Sequence, residues 1–295
     1  MMVKGSIVAL VTPMLEDGSV DYDGLKNLIE FHIANKTDAI LVLGTTGESP
    51  TLSHEEDEQV AKFTIDQVNK RIPVYVGSGS NSTLTALKQS KKFEEMGADA
   101  LLVITPYYNK TNDEGMIKHF QTIADGVNIP IVMYNVPGRT GCSISEHAVS
   151  VLSKHKNIKG IKEASGNIGY VMKIAKYLND DFVMYSGNDD MIVPVLSAGG
   201  IGVISVLANI VPEDVHNLVH EYLNGNTKKS LEIQLKYLNL VDALFIETNP
   251  IPVKEAMNYL KMPAGTYRLP LCNMSAKNKE ILIKAIKDVN LWKLH

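Results

Sequence analysis

The sequence predicts an α/β protein: a TIM-type (β/α)8 barrel followed by a C-terminal helical appendage. Three observations carry that prediction. Eight short apolar runs, each closed by a Gly, Thr, Asn or Pro and followed by a helix-like segment, recur at intervals of roughly 20–35 residues, the length of one βα unit. Several of them, ALLVIT and IVMY among them, are apolar on both faces, as a parallel strand covered by helices must be. A doubly wound open sheet, the competing arrangement, would usually carry GxGxxG or a P-loop after an early strand. The turn after the second run is instead Gly44-Thr45-Thr46-Gly47-Glu48.

In order, the runs cover residues 7–12, 39–44, 74–78, 100–105, 131–135, 158–163, 183–186 and 202–206. Between them lie helix signals. Ser53-His54-Glu55-Glu56 reads as a capping box with Ser53 at the N-cap, and Thr111-Asn112-Asp113-Glu114 repeats the pattern. The eighth unit is expected to end near Gly225, which divides the chain into a barrel over residues 1–225 and a helical segment over 226–295. In that segment Leu231, Leu235, Leu238 and Phe245 recur near helical period. Pro252 suits the first turn of a second helix, and Ser275 the cap of a last one that carries Ile281, Leu282, Ala285, Ile286 and Val289. No flexible linker precedes the segment, so it is expected to pack on the barrel.

Composition narrows the function. With 295 residues, 45% of them hydrophobic and 21% charged, the chain can bury a large core, which excludes disorder, coiled coil and collagen. Cys142 and Cys272 are far apart and form no CxxC pair, so neither a disulfide framework nor a cysteine zinc site is expected. A net charge of −4 without any Lys/Arg run argues against nucleic acid. The longest apolar stretch, residues 199–211, is too short for a membrane span, and the apolar run near the N-terminus is too short for a signal peptide. The expectation is a cytoplasmic protein that handles small molecules.

In such a barrel the active site forms where strands end and βα loops begin. The polar residues there are Thr12, Thr45, Thr46, Glu48, Thr105, Tyr107, Tyr108, Tyr134, Asn135, Arg139, Lys162, Glu163, Ser186, Asn188, Asp189 and Ser205. Lys162 stands out. Strand alternation puts it on one face with Gly160 and turns Lys159 away. Facing the barrel interior, its ammonium would lose hydration and its pKa would fall, leaving a neutral amine that forms Schiff bases with carbonyl compounds. Pairing with a carboxylate, or reaching out to solvent, is the alternative.

Tyr134 ends the neighbouring strand, where a phenol could move protons at an imine-forming carbonyl; a core tyrosine with a satisfied hydroxyl is the plainer reading. Thr45 and Thr46 could hold a carboxylate through hydroxyls and backbone N–H groups, or serve the turn alone. Arg139 follows Pro137 and Gly138, where a guanidinium could grip a second carboxylate or simply form a surface ion pair. His216 and His220 are four apart on a helix, but HNLVH lacks the glutamate of HExxH, so no metal site is expected and both belong to the solvated side. Asp189-Asp190 lacks a third acidic ligand at suitable spacing for a cation. No Ser-His-Asp set can be assembled.

Taken together, GTTGESPTL at residues 44–52, TPYYN at 105–109, YNVPGRTG at 134–141, IKEAS at 161–165 and SGNDD at 186–190 resemble the dihydrodipicolinate synthase family of pyruvate-dependent class I aldolases and lyases. GVISVLAN at 202–209, NPIPVK at 249–254 and RLPL at 268–271 extend the resemblance, in order, over essentially the whole chain. The resemblance implies condensation of pyruvate, held as a Schiff base and enamine on Lys162, with L-aspartate 4-semialdehyde in lysine and diaminopimelate biosynthesis, without metal or organic cofactor. A sister aldolase or lyase acting on another aldehyde or a sugar acid is the runner-up. The YNVPGRT stretch with Arg139 weighs against it, because sister enzymes acting on sugar acids generally lack that pattern.

The resemblance also assigns roles. Tyr134 donates and accepts the proton near the imine, and Thr45 and Tyr108 complete a relay with it, Tyr108 coming from a neighbouring subunit. Thr46 holds the pyruvate carboxylate, Gly187 and Ile204 contribute backbone to the pocket, and Arg139 binds the carboxylate of the second substrate. A dimer is then the minimum unit and a dimer of dimers the family's commoner form. An allosteric lysine pocket would involve Ser49, Leu52, His54, Asn81 and Tyr107. Two positions depart from lysine-inhibited members: Asp57 stands where they often carry histidine and Thr85 where they carry glutamate. The missing glutamate removes a charge-assisted contact worth roughly 1.5–3 kcal/mol, so weak or absent inhibition is expected.

Overall fold

Eight parallel strands close into a barrel in the order in which they occur along the chain: β1 (Gly5–Ala9), β2 (Ala39–Val42), β3 (Val74–Gly77), β4 (Ala100–Ile104), β5 (Ile131–Asn135), β6 (Ile158–Glu163), β7 (Val183–Ser186) and β8 (Gly202–Ser205). The structure is a computed structural model that describes residues 2–291. Residue 1 and residues 292–295, at the ends of the two expected segments, lie outside the described residues. Around the barrel run α1 (Tyr22–Ala34), α2 (His54–Val68), α3 (Thr83–Met96), α4 (Asp113–Asp125), the short α5 (Pro137–Thr140), α6 (Glu146–Leu152), α7 (Ile168–Ala175), α8 (Ile192–Ser197) and α9 (Pro212–Leu223).

Strand alternation explains why the runs are apolar on both faces. Ile7, Leu41, Tyr75, Leu102, Val132, Val183 and Ile204 pack with one another inside the barrel. Their neighbours Val8, Ile40, Val76, Val103, Met133, Met184 and Val203 face the helices. All eight expected strands are present. The first differs most in extent, running over Gly5–Ala9 rather than residues 7–12, and the second stops at Val42, short of its expected end at residue 44. β1 starts early because Ser6 is tied to Asp38, and it stops because the Val11 N–H goes to the Asn209 side chain at 3.1 Å rather than to a strand.

β6 carries a bulge. Ile131 of β5 pairs with Ile158, but Val132 pairs with Gly160, so Lys159 is the extra residue. Beyond it, Gly160 and Lys162 stand opposite Val132 and Tyr134, and on the other side opposite Val183 and Tyr185. Those four partners belong to the interior cluster, so Lys162 points into the barrel. Lys159 turns outward to Asp181 at 2.9 Å.

Local signals fix the helix starts. Ser53 and Glu56 make the expected reciprocal capping box of α2. The second expected box is shifted: Asn112, not Thr111, caps α4 and accepts from the Gly115 N–H. An asparagine is at least as good an N-cap as threonine, and here it wins.

After α9, three helices follow: α10 (Thr227–Leu244), α11 (Ile251–Tyr259) and α12 (Ala276–Asp288). α10 lies where expected, but Leu231, Leu235 and Phe245 are exposed, and its buried side is Ser230, Gln234, Tyr237, Val241 and Leu244. The polar members of that side have partners: Ser230 donates to the Leu218 carbonyl and Gln234 to the Asp189 carbonyl. Pro252 lies in the first turn of α11 as expected. Ser275 precedes α12, but its hydroxyl goes to Glu247 at 2.6 Å instead of capping the helix. His216 and His220 are not on a solvated side either. Both are half-buried and turn to Asp38 at the N-terminal rim of the barrel. Among the described residues, no helix is long and apolar enough to cross a membrane.

Candidate active site

Lys162 is buried near the C-terminal end of β6, and its Nζ lies 4.4 Å from the centre of the Tyr134 ring. Burial strips the ammonium of water and lowers its pKa to about 7; the Asp189 carboxylate resists that shift and the Arg139 charge adds to it. Near neutral pH a large share of Lys162 is therefore the free amine. Desolvation pushes the Tyr134 phenol up, while the Arg139 charge and then the Thr45 hydroxyl pull it back. A tyrosine that stays protonated can donate its proton to a developing alkoxide.

The backbone leaves room for the lysine. A Cβ on Gly187 would lie 2.7 Å from the Ala164 Cβ and 3.1 Å from the Lys162 Cε, so the loop after β7 can pass this close only as glycine. The Gly187 N–H donates to the Glu163 carbonyl at 2.7 Å. Ile204 of β8 belongs to the same interior cluster as Tyr134. Asp189 is buried beneath this loop, and its Oδ2 accepts the Val206 and Leu207 N–H groups, each at 2.9 Å. Burial raises its carboxyl pKa. Glu163, buried beside Lys162 in sequence, accepts from Asn135 at 2.7 Å and from the Ser165 N–H at 2.6 Å. These bonds hold the strand ends in place.

The turn after β2 presents Thr45 and Thr46. Gly47 and Glu48 donate backbone N–H groups to the Gly44 and Thr45 carbonyls, and Thr12 donates its hydroxyl to the Gly47 carbonyl. Thr46 is buried and accepts a hydrogen bond from Asn249 at 3.0 Å. Arg139 sits on the short α5, exposed, with its Nη2 donating to the Asn249 carbonyl at 3.1 Å. Tyr108, on the loop after β4, is 89% exposed and has a φ of +66°.

A cleft joins this rim to a second group of residues. It is lined by Gly44, Thr45 and Tyr134 at one end and by Ser49, Leu52, His54, Asp57, Thr85, Gln89 and Tyr107 at the other. Asn81 is not part of that lining; its carbonyl accepts from Asn109 at 3.1 Å. Asp57 is buried, and desolvation lifts its carboxyl pKa to about 7.

Sequence reasoning passed over Asn249, Lys254 and Arg268, although NPIPVK and RLPL contain them. Lys254 is fully buried on α11 and meets Glu48 at 2.7 Å, the Thr12 carbonyl at 3.2 Å and the Thr266 carbonyl. Burial lowers its pKa and Glu48 opposes that. Arg268 bonds Glu56 at the start of α2 and the Thr51 carbonyl. The C-terminal helices thus brace the β2 turn from behind. The available signal is a lysine that directly follows the apolar stretch Ile251-Pro252-Val253.

A (β/α)8 barrel with a buried, partly neutral lysine beside a tyrosine at its C-terminal rim defines an enzyme of the Schiff-base aldolase class. The sequence profile of the Dihydrodipicolinate synthetase family matches residues 2–289, and the chain belongs to that family. It is 55% identical over 288 residues to 4-hydroxy-tetrahydrodipicolinate synthase of Caldicellulosiruptor saccharolyticus, with 98% of this chain and 97% of that protein covered. It is 53% identical over 290 residues to 4-hydroxy-tetrahydrodipicolinate synthase 1 of Clostridium acetobutylicum, with 98% and 99% covered. The crystal structure of dihydrodipicolinate synthase from Aquifex aeolicus superposes with a TM-score of 0.95 at 45% identity, covering 98% of both chains.

Proposed function

We infer that this protein is a 4-hydroxy-tetrahydrodipicolinate synthase, which condenses pyruvate with L-aspartate 4-semialdehyde in lysine and diaminopimelate biosynthesis. The observation that carries the reading is the Lys162 amine: buried, with a pKa lowered to about 7, and packed over Tyr134. A lysine in that state attacks a ketone carbonyl at neutral pH.

The chemistry then follows. The Lys162 Nζ adds to C2 of pyruvate, water leaves, and a protonated imine forms. This imine withdraws electrons from the methyl carbon, which loses a proton to give an enamine. The enamine carbon attacks the aldehyde of aspartate semialdehyde, whose oxygen takes up a proton. The substrate's own amine then displaces Lys162 from C2, closing the ring and freeing the lysine. The protein supplies the electron sink itself, so the reading involves no cofactor.

Roles for the other residues form part of the proposal. Tyr134 is the proton donor and acceptor, with Thr45 and Tyr108 as its relay. Thr46 takes the pyruvate carboxylate, Gly187 and Ile204 close the pocket with backbone, and Arg139 takes the carboxylate of the second substrate. The exposure of Tyr108 supports a site completed by a neighbouring subunit. We therefore propose a dimer as the minimum unit and a dimer of dimers as the assembly. The barrel over residues 1–225 carries the chemistry and residues 226–295 brace it. The setting is the cytoplasm, where both substrates are small metabolites.

The test is reductive trapping. Pyruvate with borohydride should add one pyruvyl-derived mass to Lys162, and Lys162→Ala should abolish it. Turnover in a coupled assay with aspartate semialdehyde separates the synthase from a sister aldolase. Label persisting elsewhere in the variant would overturn the assignment of Lys162.

A further inference from the structure

We propose that Asp38, His216 and His220 form a binding site for one divalent transition-metal ion of the zinc class, at the N-terminal rim of the barrel. This rim lies opposite the strand ends that carry Lys162. His216 and His220 are four residues apart on α9, so both imidazoles leave the same helical face, and their rings lie with centres 4.0 Å apart and planes tilted by 31°. Each turns one ring nitrogen to the same carboxylate. His216 Nδ1 lies 2.9 Å from Asp38 Oδ2, and His220 Nε2 lies 3.1 Å from Oδ1.

One ligand atom from each of the three residues falls within 4.8 Å of the others. A tetrahedral zinc ion with bonds of about 2.0–2.1 Å holds its donors roughly 3.3 Å apart, so small ring rotations suffice to admit it. Two imidazoles and one carboxylate are the donors that Zn2+, Co2+ and Ni2+ accept, whereas Ca2+ and Mg2+ require more oxygens. The three side chains keep 16%, 19% and 34% exposure, enough for an ion to enter and for water to fill the fourth position.

The carboxylate is held before any metal arrives. Asp38 directly precedes β2; its N–H donates to the Ser6 carbonyl at 3.0 Å and its Oδ2 accepts the Ser6 N–H at 2.7 Å. Such an outer partner fixes the orientation of a metal-binding carboxylate. The chain clears space for it at Gly5, whose φ is +138° and whose Cβ would lie 2.1 Å from Asp38 Oδ2. Lys36, two residues ahead of Asp38, is engaged by Glu213 at 2.8 Å rather than by Asp38. The ion would sit between the two imidazoles and the carboxylate, each imidazole binding it through a lone pair with its proton on the other ring nitrogen, and would tie α9 to β1 and β2. On this face of a barrel the consequence is stability rather than turnover.

The experiment uses the full, untagged chain, stripped with a chelator and titrated with Co2+ alone and with Zn2+ alone. Co2+ should give visible ligand-field bands that saturate at one ion per subunit and vanish on adding Zn2+. Zn2+ should raise Tm by about 3 °C or more, because it binds the folded chain selectively. His220→Gln, which leaves the His216–Asp38 contact intact, should weaken Co2+ binding at least about tenfold and erase the Tm shift, with metal-free turnover unchanged. Asp38→Asn should do the same if it folds. Equal Co2+ affinity in the parent and His220→Gln, or thiolate bands that assign the ion to Cys142 or Cys272, would overturn the proposal.

Discussion

The Asn249 side-chain amide donates to the Thr46 hydroxyl at 3.0 Å across 203 residues of chain, and both groups are buried. The carbonyl of the same asparagine accepts from Arg139. A single residue, two positions ahead of α11, thus touches both side chains proposed to receive substrate carboxylates. Asn249 is a positioning residue: Asn249→Ala removes one hydrogen bond of about 0.5–1.5 kcal/mol and should raise the KM for pyruvate roughly three- to tenfold. The rate of borohydride trapping at saturating pyruvate should stay near that of the parent. A kcat loss with unchanged KM would instead place Asn249 in the chemical step.

The Lys162 pKa of about 7 sets a pH limb. Only the neutral amine attacks pyruvate, so kcat/KM for pyruvate should fall as pH drops through 7, with roughly one molecule in ten competent at pH 6. The Asp189 charge raises that pKa. Asp189→Asn keeps an acceptor for the Val206 and Leu207 N–H groups yet removes the charge, so the limb should move to lower pH. An unmoved or upward-moved limb would remove Asp189 as the counter-charge.

Arg139 is the residue proposed to receive the second substrate. A guanidinium–carboxylate contact is worth about 1.5–3 kcal/mol, so Arg139→Ala should raise the KM for aspartate semialdehyde roughly tenfold to a hundredfold. The KM for pyruvate should change much less. Equal effects on both would show a structural role through Asn249.

Lys254 and Glu48 form an ion pair with no exposure on either side chain. Removing one partner of such a pair leaves a buried charge uncompensated, at a cost of about 3–5 kcal/mol. Lys254→Met should therefore lower Tm strongly, and adding Glu48→Leu should recover part of the loss. Urea unfolding of both variants checks this: a double variant no more stable than the single would show that the lysine bonds to the Thr12 and Thr266 carbonyls matter more than its charge.

These residues show what a sequence can and cannot reveal. Strand alternation and turn chemistry act locally, so the eight strands and the inward Lys162 could be read from residue order. The bulge at Lys159 leaves that reading intact because the Gly160–Lys162 alternation lies beyond it. The exposed stripe of α10 shows the limit: Leu231, Leu235 and Phe245 face outward, while Ser230 and Gln234 are buried because tertiary partners satisfy them. Asn249, Lys254 and Asp38 act on residues far away in the chain. Nothing in local periodicity encodes those meetings.

The cleft beside the β2 turn is the proposed seat of regulation by L-lysine. Thr85 supplies no charge, and the acid in the lining is Asp57, buried with a pKa raised from 3.8 to about 7. Because the folded value lies above the unfolded one, the native state favours the neutral acid. The stability this contributes is complete below pH 3.8 and is lost as pH rises through 7. Asp57→Asn should accordingly stabilise the protein relative to the parent at pH 8 more than at pH 5, as thermal melts at both pH values would read. The same titration governs ligand charge. Near pH 6 Asp57 is mostly neutral and cannot attract an ammonium, so lysine should inhibit poorly. By pH 8 it is mostly ionised, so inhibition should strengthen. In Asp57→Asn that rise should disappear. Activity titrated against L-lysine at both pH values decides it: strong inhibition at pH 6, or a rise that survives in Asp57→Asn, would show that another group in the cleft meets the ammonium.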